Sequence, residues 1–129
     1  MSATNNFLIQ KHDTPHPHYD LYLQIGEELK SWIIPNNIPS VRKKIKIAIE
    51  SEPAQCAISD AKSKKVVEDA YGKGKTKLWD QGEFTIETKW KTKLILKARG
   101  KELNGTYLLH IPNWGRWTKK RLWTLEKIR

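Results

Sequence analysis

Alternation of apolar and polar residues runs through most of this chain, and it restricts what the chain can fold into. In "HYDLYLQI" (18–25) the side chains of Tyr19, Leu21, Leu23 and Ile25 fall on one side of an extended chain, and those of His18, Asp20, Tyr22 and Gln24 on the other. "KKIKIAIE" (43–50) repeats the pattern, with Ile45, Ile47 and Ile49 on one face and Lys44, Lys46, Ala48 and Glu50 on the other. A period of two predicts strands.

Further strand patterns are "FLIQKH" (7–12), "LKSWII" (29–34), "TKLWD" (76–80), "EFTIETKW" (83–90), "KLILKA" (93–98), "TYLLHI" (106–111) and "LWTLEKI" (122–128). Turns are expected at "GEE" (26–28), at Gln81-Gly82 and within "RGKELNG" (99–105), and a turn or bulge at "YGKG" (71–74), because glycine reaches conformations closed to other residues. Residues 53–77 leave a short helix or an irregular loop open. About eight strands with one or two short helices and Gly-containing turns predict a mainly all-β domain, a closed or nearly closed β-barrel. Closure also removes exposed sheet edges.

With 129 residues the chain suits one domain, 1–129, able to bury a core without staples. A single cysteine, Cys56, excludes an internal disulfide. The start "MSATNNFLIQ" lacks the apolar stretch of a signal peptide, and no run is long enough to span a membrane, so a soluble, cytoplasmic protein is expected.

The net charge of +10 is unevenly placed. Residues 1–88 hold 12 Lys/Arg and 12 Asp/Glu, whereas residues 89–129 hold 12 Lys/Arg against Glu102 and Glu126 alone. A neutral portion followed by a basic one predicts a polyanionic partner, nucleic acid. In "KWKTKLILKAR" (89–99), read as one strand, Lys89, Lys91, Lys93, Lys97 and Arg99 share a face, and Trp90, Thr92, Leu94, Leu96 and Ala98 form an apolar underside. Same-face residues recur about every 6.6–6.8 Å along a strand, a spacing able to track the phosphates of nucleotides that rise about 3.4 Å each along one strand of a duplex. "PNWGRWTKKR" (112–121) sets Trp114 and Trp117 beside Arg116, Lys119, Lys120 and Arg121, a mixture suited to stacking on bases. Trp32, Trp79 and Trp123 sit inside strand patterns and read as core.

The densest chemistry is in "QKHDTPHPHYDLYL" (10–23). Two prolines at alternate positions, Pro15 and Pro17, interrupt any ladder. The connection between the strands folds His12 back toward His18, and Asp20, two residues on, shares the face of His18. Two imidazoles and a carboxylate can converge as a minimal facial site for manganese, zinc, iron or nickel. A hydrogen-bonded structural His–Asp pair is the alternative. His16, between the prolines, reads as a solvent-exposed loop tip.

The stretch "FLIQKHDTPHPHYDLYLQIGEELKSWIIP" resembles the signature of the 3′-phosphoesterase domain of bacterial and archaeal DNA ligase D. The likeness continues through "IAIESEP" (47–53), "YGKGKTKLWDQGEF" (71–84), "LNGTYLLH" (103–110) and "LWTLEK" (122–127). The resemblance implies an eight-stranded barrel that heals DNA 3′ ends with manganese, or another divalent metal such as zinc, removing a terminal ribonucleoside and a 3′-phosphate. It implies His12, His18 and Asp20 as metal ligands and catalytic centre. It matches Gln10 to a substrate-contacting glutamine, Glu50 to a carboxylate of the following strand, and Lys44 to a phosphate-binding arginine. DNA 3′ ends are the implied partner, with a separate ligase or other repair proteins alongside.

The sequence departs from the family pattern at several positions. Tyr22 stands where an arginine is usual, Asn36 where a lysine is, Glu52 where a histidine is, and Cys56 where a tyrosine is; the family's N-terminal arm has no counterpart before Phe7. Phosphoryl transfer relies on cations around the developing charge. Lys44 offers a point charge without a bidentate fork, and Glu52 either repels a phosphate or joins the metal. Two functions therefore follow: a divergent metal-dependent 3′-end-processing enzyme, or a catalytically weakened barrel that binds nucleic acid or a repair partner.

Overall fold

The structure, a computed structural model, describes residues 5–35, 38, 44–51, 66–69, 72–112 and 122–129. Nine strands are present: β1 Asn5–Asp13, β2 His18–Ile25, β3 Glu28–Pro35, β4 Ile45–Ser51, β5 Val66–Asp69, β6 Gly72–Trp90, β7 Lys93–Arg99, β8 Asn104–His110 and β9 Leu122–Lys127. Among the described residues there is no helix. The order β1-β2-β3-β4-β9-β8-β7-β6 closes through a β1–β6 pairing, so eight strands form an all-β antiparallel barrel and β5 extends the sheet beyond β6.

The interior follows the alternation. Phe7, Ile9, Leu21, Leu23, Trp32, Ile34, Phe84, Leu96, Tyr107, Leu109, Trp123 and Leu125 fill the barrel. Trp32 and Trp123 meet edge-on at 5.6 Å between ring centroids, and Trp79 packs against Tyr19 at 5.1 Å. Gly26 closes the β2–β3 turn at φ 60°, a left-handed conformation that glycine adopts without a Cβ clash.

The structure decides which face of β4 turns inward, and it corrects two expectations. In β4, Ala48 is buried while Ile45 is 59% exposed and Ile47 46% exposed. Ala48 pairs directly with Trp123, and beside an indole the interior admits only a small side chain. The isoleucines therefore face outward.

The turn expected at Gln81-Gly82 is replaced by one 19-residue strand, β6, which begins at Gly72 next to its pairing with Asp69 of β5. Register shifts leave Trp79 and Glu87 as extra residues, and such bulges bend a long strand around a barrel. Gly82 serves close packing: a Cβ there would meet the Arg99 carbonyl oxygen at 2.5 Å.

Residues 89–99 are not one strand. Trp90 ends β6 and pairs with Lys93 across a two-residue turn, Lys91-Thr92, so Lys89 lies on β6 while Lys93, Lys97 and Arg99 lie on β7. The turn contains neither Gly nor Asn, the usual markers of a tight hairpin.

Candidate metal centre

The β1–β2 hairpin builds the site. His12 pairs directly with His18, and Gln10 with Asp20, so the four side chains rise from one face of two adjacent strands. That face is turned away from the barrel core, since Ile9 and Leu21 occupy the other. All four side chains are nevertheless buried, the His12 side chain completely.

The contacts fix the roles of the imidazole nitrogens. His12 Nε2 lies 3.1 Å from the main-chain oxygen of Gly74, and His18 Nδ1 lies 2.9 Å from that of His16. A carbonyl oxygen only accepts, so a ring with a single N–H places it there. The remaining nitrogens, His12 Nδ1 and His18 Nε2, then carry lone pairs. They face each other at 3.2 Å. Asp20 Oδ2 lies 3.5 Å from His12 Nδ1, and Asp20 Oδ1 lies 3.3 Å from His18 Nε2.

Two lone pairs and a carboxylate repel one another unless a cation joins them. A ligand bond of about 2.1 Å sets neighbouring donors roughly 3.0 Å apart at cis octahedral positions and roughly 3.4 Å apart at tetrahedral ones. The separations of 3.2 and 3.3 Å fall in that range, and the third, 3.5 Å, lies just above it. The donor set, two nitrogens and a carboxylate, suits a divalent transition ion. Carbonyl partners behind both rings are the usual outer support of such ligands.

The other expected residues lie in several places. His16 is exposed. Tyr22 is buried on the same face as Asp20 and packs with Leu8 and Leu29, so an apolar cluster occupies the position of the family's arginine. Lys44 is exposed just ahead of β4. Glu50 pairs with Trp32 on the inner face, opposite the His–Asp face, and accepts the Trp123 indole N–H at 2.7 Å. Lys89, Lys91, Lys97 and Arg99 are exposed, and Lys93 is half-buried with its Nζ 4.8 Å from the centre of the Trp90 ring. Glu52, Trp114, Arg116, Trp117, Lys119, Lys120 and Arg121 lie outside the described residues, as do Asn36 and Cys56.

Three residues of the site and its surroundings escape a reading of the sequence. Gly74, expected in a turn or bulge, carries the carbonyl behind His12. A glycine inside a strand can instead mark close backbone approach, and that signal is present in the sequence. Thr14 organises the loop below His18. Trp90, expected on an apolar underside, is 64% exposed.

A closed barrel whose outer face carries a buried His–His–Asp cluster able to hold a metal ion defines the class of this domain. The family model for the DNA ligase D 3′-phosphoesterase domain matches residues 10–110. The chain belongs to that family. It is 32% identical over 124 residues to the multifunctional non-homologous end joining DNA repair protein LigD of Mycobacterium tuberculosis, covering 92% of this chain and 16% of that protein. Similarity to LigD of Pseudomonas aeruginosa is 30% over 81 residues, or 61% of this chain and 9% of the relative. For Mycolicibacterium smegmatis LigD it is 25% over 130 residues, or 92% and 17%. The chain thus spans less than a fifth of the length of these relatives.

Proposed function

We infer that this chain is a metal-dependent 3′-end-processing phosphoesterase of DNA repair, removing a 3′-phosphate or a 3′-ribonucleoside before an end is joined. The observation that carries this reading is the convergence of His12 Nδ1, His18 Nε2 and the Asp20 carboxylate oxygens, 3.2–3.5 Å apart in a buried cluster. Family membership supplies the reaction class.

In this reading His12, His18 and Asp20 hold Mn²⁺, or another divalent ion such as Zn²⁺. A divalent ion held there would polarise a phosphoryl oxygen and lower the pKa of a water. The protein's own groups do the rest. His12 and His18 donate outward to main-chain carbonyls, which keeps their lone pairs on the ion. Burial of the seat excludes bulk water and strengthens its electrostatics. Gln10 offers its amide beside Asp20, and Lys44 brings a cation toward the phosphate. Lys89, Lys91, Lys93, Lys97 and Arg99 grip the nucleic acid, with Trp114, Arg116, Trp117, Lys119, Lys120 and Arg121 adding contacts. Residues 1–129 act as one cytoplasmic domain beside a separate ligase or other repair proteins. Among the described residues no helix is long and apolar enough to cross a membrane.

Tyr22 favours a second reading. It packs into an apolar cluster where the family has an arginine, which removes a bidentate donor from the phosphate side. A barrel that binds DNA ends with little turnover fits that change.

A primer–template bearing a 3′-phosphate or a single 3′-ribonucleotide, incubated with Mn²⁺, decides between them. The first reading expects product from the wild-type chain and none from His12→Ala. DNA and Mn²⁺ binding without product supports the second.

A further inference from the structure

We propose that Thr14 is a metal-positioning residue, and that Gly74 is its counterpart on the other side of the centre. The inference rests on the metal reading above and goes beyond it. It concerns how an outward-facing pocket keeps both histidines in the state that can bind an ion.

Thr14 is buried in the Asp13–Pro17 connection. Its hydroxyl donates to the His16 carbonyl oxygen at 2.8 Å and accepts the His16 N–H at 3.1 Å. One hydroxyl thus ties down both main-chain groups of His16. That same carbonyl accepts the His18 Nδ1 proton at 2.9 Å. Pro15 and Pro17 lack N–H groups and have fixed φ, and Thr14 and His16 each precede a proline, which disfavours the helical region for both. The loop therefore has few alternative shapes. It holds an acceptor under His18 and keeps Nε2 bare.

Gly74 performs the matching task for His12. Its carbonyl oxygen takes the Nε2 proton at 3.1 Å. A Cβ at Gly74 would lie 2.0 Å from the Asp13 carbonyl oxygen and 2.6 Å from its carbon. Only glycine lets β6 approach the end of β1 closely enough to deliver that carbonyl. Without either acceptor a ring is free to move its proton to the other nitrogen and turn a donor toward the ion.

Thr14→Val keeps the shape and removes the hydroxyl, while Thr14→Ser keeps the hydroxyl. Mn²⁺ affinity, read from the electron paramagnetic resonance of the free ion, should weaken about tenfold or more in Thr14→Val, since outer-shell partners typically contribute 10–100-fold. Thr14→Ser should restore it. Gly74→Ala should weaken it similarly. Nitrogen-15 spectra of the metal-free protein give a second readout. His18 in the wild type should show a protonated Nδ1 and a bare Nε2, and Thr14→Val should move toward a mixture of tautomers. Unchanged Mn²⁺ affinity and an unchanged His18 tautomer in folded Thr14→Val overturn the inference and leave the metal reading standing. Failure of the wild-type chain to bind Mn²⁺ overturns the metal reading, and the inference with it.

Discussion

The Trp123 indole N–H donates to Glu50 Oε1 at 2.7 Å, joining β9 to β4 on the inner face of the barrel. This hydrogen bond gives Glu50 a structural task on the far side of the sheet from His12, His18 and Asp20. Glu50→Ala leaves a buried indole donor unpaired, and losing a hydrogen bond to a charged acceptor costs about 1.5–3 kcal/mol. The variant should lose about that much stability in urea unfolding and keep its Mn²⁺ affinity. Loss of Mn²⁺ affinity at undiminished stability would return Glu50 to the site.

Asp80 should prove costlier to alter. Its Oδ1 accepts the N–H groups of Gln81 and Lys101 at 2.9 and 3.1 Å, and its Oδ2 those of Glu102 and Leu103 at 2.9 and 2.7 Å. The carboxylate thereby shapes the β7–β8 turn from β6. Asp80→Asn turns an NH₂ toward two N–H donors, leaving groups unpaired at about 1–3 kcal/mol each. A total loss of about 2–4 kcal/mol is expected from denaturant unfolding. Gly100→Ala should act on the same carboxylate, because its Cβ would meet Asp80 Oδ2 at 2.5 Å. The two substitutions should therefore combine less than additively in a double-mutant cycle.

Most of the barrel was legible because a buried strand face imposes period two, and "HYDLYLQI" shows that period directly. The clustering of His12, His18 and Asp20 was legible for the same reason: His18 and Asp20 are two apart on one strand, and a short Pro-containing connection returns His12 to face them. What the sequence hid depends on partners distant along the chain. Which face of β4 turns inward depends on Trp123, 75 residues beyond its pairing partner Ala48. The Lys91-Thr92 turn lacks a glycine signal. Gly74 and Gly82 carry that signal but use it for close strand approach within β6. The hydrogen bonds of Thr14 become visible only once the loop has a shape.

His110 supplies a pH dependence with a definite sign. Burial lowers its pKa first, the nearby Lys93 ammonium lowers it further, and Glu126 partly opposes both. Its Nδ1 also lies 3.3 Å from the Thr124 hydroxyl. With the folded pKa below the ordinary value of 6.5, the unfolded chain binds more protons between the two values. The stabilising contribution is complete above about pH 6.5 and is lost as pH falls through the folded pKa. Wild type should therefore lose more stability than His110→Gln between neutral and mildly acidic pH in urea unfolding. Comparing the two proteins cancels other titrating groups. Lys93→Met should raise the His110 midpoint in an NMR titration.

The tip of the β6–β7 hairpin makes the last prediction, which tests the nucleic-acid grip. Trp90 is 64% exposed, Lys93 Nζ sits 4.8 Å from its ring centre, and Lys89 and Lys91 are exposed on either side. An indole left in water among lysines offers an unpaired base a stacking surface and its phosphates a set of cations. Stacking on an aromatic residue contributes about 1–3 kcal/mol per base. Trp90→Ala should therefore weaken binding to a duplex with a single-stranded overhang by about tenfold, and binding to a blunt duplex less. Replacing Lys89 or Lys91 with Gln should lower the log–log salt slope by about 0.7–0.9 for each phosphate that is no longer neutralised. These surface changes should shift stability by no more than about 0.5 kcal/mol. Equal affinity for both DNAs in Trp90→Ala and wild type, with salt slopes unchanged in the lysine variants, would put the DNA on another part of the barrel.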